Sequence, residues 1–224
     1  MGSTKNLENI EMDKQAILHY VYDPFCGWGY GLAPLVSAAE EAGLKVVPHS
    51  GGMLAGERAQ KMSTEWRDFV RPHEERITAL SGQPFSETYQ QGTQFDYDVK
   101  LDSGPPTAAM LAAESIAGAG LKMLERLQTA YYVEGRPIAE RAELLRIADE
   151  LGLDAASFAT AYDQASPTLN GHFEQTQAFL GEIGGRGYPA LAIEQDGKVS
   201  RLRLGRYFGK PELFRKAMEE VLAQ

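Results

Sequence analysis

The hydrophobic positions of this chain change period twice. Ile17-Leu18-His19-Tyr20-Val21-Tyr22 is a short apolar and aromatic run, the pattern of a buried strand. Asp23-Pro24 stops it. From Trp28 the apolar residues Leu32, Leu35, Val36 and Ala39 follow at helical spacing, with Pro34 as an expected kink and Gly43 as the end. Leu44 to His49 reads as a second strand. A strand, a helix and a strand in that order predict a parallel pair.

From about Gly56 to Leu180 strand character almost vanishes. The periodicity predicts helices over 63–80, 106–119, 121–133, 138–151, 155–164 and 169–183. Asp154 and Ser166 suit N-caps, and Gly152 suits a C-cap. Strand character then returns at Ala190 to Glu194. Asp196-Gly197 predicts a hairpin turn, with Val199 to Leu204 as the return strand. Pro211 opens a final helix with Leu213, Phe214, Ala217, Met218, Val221 and Leu222 on its buried stripe. The two ends are therefore α/β and bracket an all-helical block.

Composition adds limits. The chain has 224 residues, 43% of them hydrophobic, enough for a substantial core. The formal charge is −9, which argues against nucleic acid or an anionic membrane surface as partner. No run has the length of a membrane span, and Met1 to Gln15 lacks the apolar core of a signal peptide. The stretch to about Lys14 is polar, and a loose start is expected there. A single cysteine allows no internal disulfide and fits a reducing compartment. The expectation is a cytoplasmic protein.

That cysteine carries the candidate chemistry. In Asp23-Pro24-Phe25-Cys26-Gly27-Trp28-Gly29-Tyr30-Gly31 it stands between the first strand and the first helix. A thiol at a helix start faces unsatisfied N–H groups, which favour the nucleophilic thiolate. An acidic, reactive Cys26 is expected; the bland alternative is a buried, inert cysteine. Trp28 suits a groove wall or simple packing. Asp23 suits a turn better than a proton carrier. His19, His49, His73 and His172 lack metal-ligand spacing with Cys26, and no metal site is expected. Surface or strand-end positions are expected for them. Arg67, Arg71 and Arg76 on one helix suit a solvated face, or less readily an anion clamp. Gly184-Gly185 and Gly187 precede a strand, which is the wrong context for a dinucleotide loop.

The cysteine segment resembles the active-site segment of the DsbA-like branch of the thioredoxin superfamily, and more narrowly the FrnE-like disulfide isomerases. Further similarities lie in Gly51-Gly52-Met53, in Leu101 to Pro106, in Gly187-Tyr188-Pro189, and in Gly205-Arg206 with Pro211 to Phe214. The resemblance spans about residues 16 to 222. It implies a thioredoxin fold interrupted by a large helical insertion, with residues 15–55 and 184–224 forming the discontinuous thioredoxin-like domain and 56–183 the insertion. It implies Cys26 as nucleophile and Pro189 in a cis peptide facing the sulfur, so that Tyr188 backbone groups can hold an extended peptide or glutathione.

Gly29 departs from that pattern, since the family has its resolving cysteine there. With one thiol the protein can form a mixed disulfide but cannot close a ring. Glycine in a helical turn costs about 1 kcal/mol relative to alanine, and it is expected to open room beside the sulfur for a glutathionyl group. Three readings follow. The first is monothiol exchange with disulfide-containing proteins or glutathione, with glutathione as co-substrate and no tightly bound cofactor. The second is chemistry like that of kappa-class glutathione transferases and hydroxychromene-carboxylate isomerases. The third is a peptide- or ligand-binding fold without turnover.

Overall fold

A computed structural model describes residues 16–223. The polar N-terminal stretch discussed above lies outside the described residues. One four-stranded sheet has the order β2-β1-β5-β6, with β1 at Ile17–Tyr22, β2 at Lys45–Ser50, β5 at Ala190–Gln195 and β6 at Lys198–Arg201. β1 pairs parallel with β2, in register from Ile17 opposite Lys45 to Tyr22 opposite Ser50. It pairs antiparallel with β5, from Ile17 opposite Glu194 to Val21 opposite Ala190. The central strand thus takes one neighbour from each end of the chain. Asp196 and Gly197 both adopt positive φ, 51° and 72°, and turn β5 back into β6. Pro48 is tolerated within β2 because that strand is a sheet edge.

Side chains alternate along β1. Leu18, Tyr20 and Tyr22 enter the main core, while Val21 packs with Leu180 and Ala190 in a smaller cluster on the other face. α1 (Gly27–Glu41) runs through Pro34 without a break in the helix and packs against α8 (Pro211–Leu222), whose Phe214 and Met218 are buried. Each large apolar side chain so buried contributes about 1.5–3 kcal/mol.

The intervening helices are α2 (Thr64–Ser81), α3 (Gly104–Ala117), α4 (Gly120–Tyr132), α5 (Arg141–Glu150), α6 (Ala155–Ala165) and α7 (Leu169–Glu182). Ser63 and Asp154 cap α2 and α6, their side chains accepting from the N–H of Trp66 and Ser157. Ser166 is corrected as a cap: it lies in a tight turn before α7, and its hydroxyl donates back to the Tyr162 carbonyl. α5 begins three residues later than its apolar pattern suggests, after a turn at Pro137–Glu140. The return strand β6 is also shorter, because residues 204–206 curl into a helical turn. Two features escape the pattern altogether. β3 (Gln60–Lys61) pairs with β4 (Lys100–Leu101), and Thr88–Gly92 forms a wide helical turn.

Candidate active site

Asp23 organises the loop that presents Cys26. Its carboxylate accepts from the N–H of Phe25 at 2.9 Å, the Ser103 hydroxyl at 3.0 Å and the N–H of Met53 at 2.6 Å. Its carbonyl accepts from the N–H of Cys26 at 3.0 Å. One buried side chain therefore ties the end of β1 to the segment after β2 and to the start of α3. Pro24 is buried in the turn it forms, and Gly27 begins α1. Burial pushes the Asp23 carboxyl up to about 6 against the pull of these donors and of the Arg58 charge. The turn reading of Asp23 holds, with a clamp added to it.

Cys26 is the N-cap residue of α1, in extended conformation and 6% exposed. Its thiol donates to the Tyr188 carbonyl at 3.7 Å, and the Tyr188–Pro189 peptide is cis. The first-turn N–H groups of Gly29 and Trp28 do act on the sulfur, as expected. Burial outweighs them. It pushes the thiol up to about 12, helped by the Asp23 charge. The expectation of an acidic thiol is corrected for the unliganded protein: the resting site holds S–H.

The Tyr188 ring lies on Gly51. A Cβ on Gly51 would sit 2.1 Å from the ring, so only glycine admits this approach. The phenol donates to the Gly51 carbonyl at 2.9 Å and meets Gln177 of α7. The side chain thus anchors the loop while the backbone of Tyr188 remains beside Cys26.

Gly29 is buried and faces inward. A Cβ there would lie 3.3 Å from Tyr20 Oη and 3.6 Å from Cys26 Cβ. The expected room for a glutathionyl group is therefore not at Gly29. A cavity of about 200 Å³ is lined in part by Cys26 and Gly27, and Gly29 is not among its lining residues. Aromatic residues wall it: Trp28, Trp66, Phe69, Tyr131, Tyr132 and Tyr188 among them. Trp28 both lines this cavity and packs, its ring edge-on to Phe208 and its Nε1 donating to His73 at 3.3 Å. Glu74 of α2 stands in the same wall, 2% exposed.

A second, more polar hollow shares Met53 and Tyr188 with the first and is flanked by Arg58 and Arg186. The three arginines of α2 form no common clamp. Arg67 pairs with Asp68, Arg71 donates to Gln94 and to the Gln90 carbonyl, and Arg76 lies over the Trp28 ring.

Trp28 and Tyr188 were expected at the site; Trp66, Phe69, Tyr131 and Tyr132, which join them in the wall, were not legible there, because they come from two other helices whose aromatic positions read as packing. Gly51 and Met53 had a signal, the Gly51-Gly52 pair after a strand. Of the histidines, His19 departs from the expectation, while His73 is exposed on α2 and His49 lies near the end of β2, as expected. His19 is buried, bonded to His49 at 2.9 Å and to Glu194 at 2.9 Å, with Phe179 against both rings. Among the described residues no group of histidine, cysteine or carboxylate side chains could hold a metal ion.

A sheet with the chain's two ends side by side, a cysteine at the N-cap position of the first helix and a cis proline beside it define a thioredoxin-type protein. Residues 18–217 match the model of the DSBA-like thioredoxin domain, and the chain belongs to that family. Among solved structures it is similar to the cytosolic disulfide reductase DsbM from Pseudomonas aeruginosa, with 45% identity over 92% of this chain and 98% of that one, at a TM-score of 0.87. The same reductase with GSH gives 43% identity over 93% and 100%, at 0.86. A 2-hydroxychromene-2-carboxylate isomerase gives 14% identity over 92% and 95%, at 0.56, which is a likeness of fold alone. No curated protein matches the chain.

Proposed function

We propose that this protein is a glutathione-linked thiol–disulfide oxidoreductase that works through Cys26 alone. The observation that carries the reading is the sulfur itself: Cys26 holds the N-cap position of α1, and its thiol touches the Tyr188 carbonyl beside the cis Pro189. The likeness to a disulfide reductase also described with GSH supports it. So does that reductase's description as cytosolic, together with the absence of any described helix long and apolar enough to cross a membrane.

The chemistry follows from the contacts. In the resting site the Tyr188 carbonyl accepts the thiol proton. A substrate N–H that pairs with this carbonyl, as an added strand would, takes that acceptor away. The proton then leaves to solvent, and the N–H groups of Trp28 and Gly29 face the charge left on sulfur. Cys26 thiolate attacks the glutathionyl sulfur of a mixed disulfide. One S–S bond breaks, a new one forms between Cys26 and glutathione, and the released thiolate takes a proton. A second glutathione, as thiolate, attacks this adduct and restores Cys26. The sum is release of the substrate as free thiol and oxidation of one free glutathione, which leaves joined to the substrate's glutathionyl unit as glutathione disulfide. Gly29 stands where a resolving thiol would otherwise close the ring, so release depends on the external thiol. Arg58 and Arg186 flank the hollow that suits the glutathione carboxylates.

The test is mass spectrometry with a turnover assay. Incubation with glutathione disulfide is expected to add one glutathionyl unit, which reduced glutathione then removes, and a mixed-disulfide substrate is expected to turn over. The raised thiol favours a second reading, ligand binding without turnover. A chain that takes no adduct at any pH up to 9 decides for that reading.

A further inference from the structure

Glu74 is a buried carboxylate with half its hydrogen bonding missing. Oε1 accepts from the Tyr89 hydroxyl at 2.9 Å and from Gln94 Nε2 at 2.8 Å. Oε2 is buried and has no partner among the described residues. The Tyr132 hydroxyl, on another residue of the same cavity, is also buried and unpartnered. Such groups cost about 1–3 kcal/mol each when left unsatisfied. Among the described residues no lysine or arginine lines the cavity. Arg71, whose charge acts on Glu74, is committed to Gln94 and Gln90. An aromatic box with one under-bonded carboxylate is the chemistry of an ammonium site: ring faces attract a cation, and the carboxylate accepts its N–H bonds.

We propose that the cavity beside Cys26 is a subsite for an ammonium group, so that the preferred substrates are disulfides of cationic aminothiols, with Glu74 as the residue that selects them. This rests on the thiol–disulfide reading above. The two hollows then divide the substrate by charge. The anionic glutathionyl half lies toward Arg58 and Arg186, and the cationic half lies against Glu74.

Three glutathione mixed disulfides of similar size test this: those with cysteamine, 2-mercaptoethanol and 3-mercaptopropionate. The cationic probe is expected to exceed the neutral one about tenfold in kcat/KM, with the anionic probe lowest. In Glu74→Gln the cationic-to-neutral ratio is expected to fall to within about twofold of one. Equal rates for the three probes overturn the proposal, and so does an unchanged ratio in the variant. A second measurement needs neither the variant nor turnover. Propylamine at pH 8 is expected to protect Cys26 from alkylation, and propan-1-ol is not. Equal protection by both overturns the ammonium site. Protection by the amine without turnover of any probe upholds the subsite and rejects the oxidoreductase reading.

Discussion

On one side of Cys26 the wall is mostly backbone and clamps: the Tyr188 carbonyl, Gly51 under the Tyr188 ring, and Asp23 with its three donors. On the other side it is side chains from the helical block, aromatic and apolar, with Glu74 and the Tyr132 hydroxyl left short of partners. The first wall has nearly every polar group satisfied and little room to change. The second carries unsatisfied groups that a ligand can complete. Satisfied hydrogen bonds fix where the sulfur sits; unsatisfied ones select what meets it.

Variants sharpen this contrast in order of effect. Cys26→Ser is expected to abolish the glutathionyl adduct and all turnover, read by mass spectrometry and by the exchange assay. Gly51→Ala drives a methyl group into the Tyr188 ring. It is expected to lose about 1–3 kcal/mol in denaturant titration and about 100-fold in exchange rate as the loop shifts. A wild-type rate in that variant breaks the claim that the first wall is rigid.

Asp23→Asn acts on charge and clamp together. The amide places an N–H where an acceptor stood, so stability at pH 7 is expected to fall by about 1–3 kcal/mol. The thiol is expected to become more acidic, because the Asp23 charge is among the causes that raise it. Alkylation of Cys26 against pH measures this. The sign for the wild type is definite. Folding raises the Asp23 carboxyl to about 6 from its ordinary 3.8, so the folded state binds the extra proton between those values. This contribution to stability is full below about pH 4 and is lost as pH rises through 6. In Asp23→Asn that slope is expected to vanish from pH-dependent denaturation.

Gly29→Cys tests the other side of the helix turn. The Cβ separation of 3.6 Å from Cys26 lies within disulfide range. Oxidation is expected to close a ring, seen as a mass loss of two hydrogens and as resistance to alkylation. Smallest of all, Tyr132→Phe removes a buried hydroxyl that has no partner. It is expected to leave the free protein unchanged or about 1 kcal/mol more stable, by thermal denaturation. A clear destabilisation breaks the contrast between the walls.

The strands and helices that form the sheet layer were readable because each has a clean period and a turn signal at its end. Asp23-Pro24, Gly43, Asp196-Gly197 and Pro211 all mark real boundaries. β3 and β4 were not, because two-residue strands such as Gln60–Lys61 carry no alternation to detect. The cysteine's place was readable from its neighbours, but its protonation was not. Helix position predicts a fall in pKa; the depth at which the sulfur is buried decides otherwise, and depth is a tertiary property. The same holds for His19, whose strand position gives no hint of Glu194, a residue that reaches it only through the antiparallel pairing.

The placing of β1 has a consequence for synthesis. Its parallel partner follows within a few dozen residues, but its antiparallel partner β5 is made only after the whole helical block. On the ribosome, one edge of β1 therefore stays open while residues 51–189 emerge, and the helices, built on local contacts, form in that interval. The nascent chain carries an unpaired edge rich in apolar residues until residues 190–195 appear. A message cut short before Ala190 yields a product that exposes this edge permanently, and such fragments are expected to aggregate or be degraded rather than persist as a partly working protein.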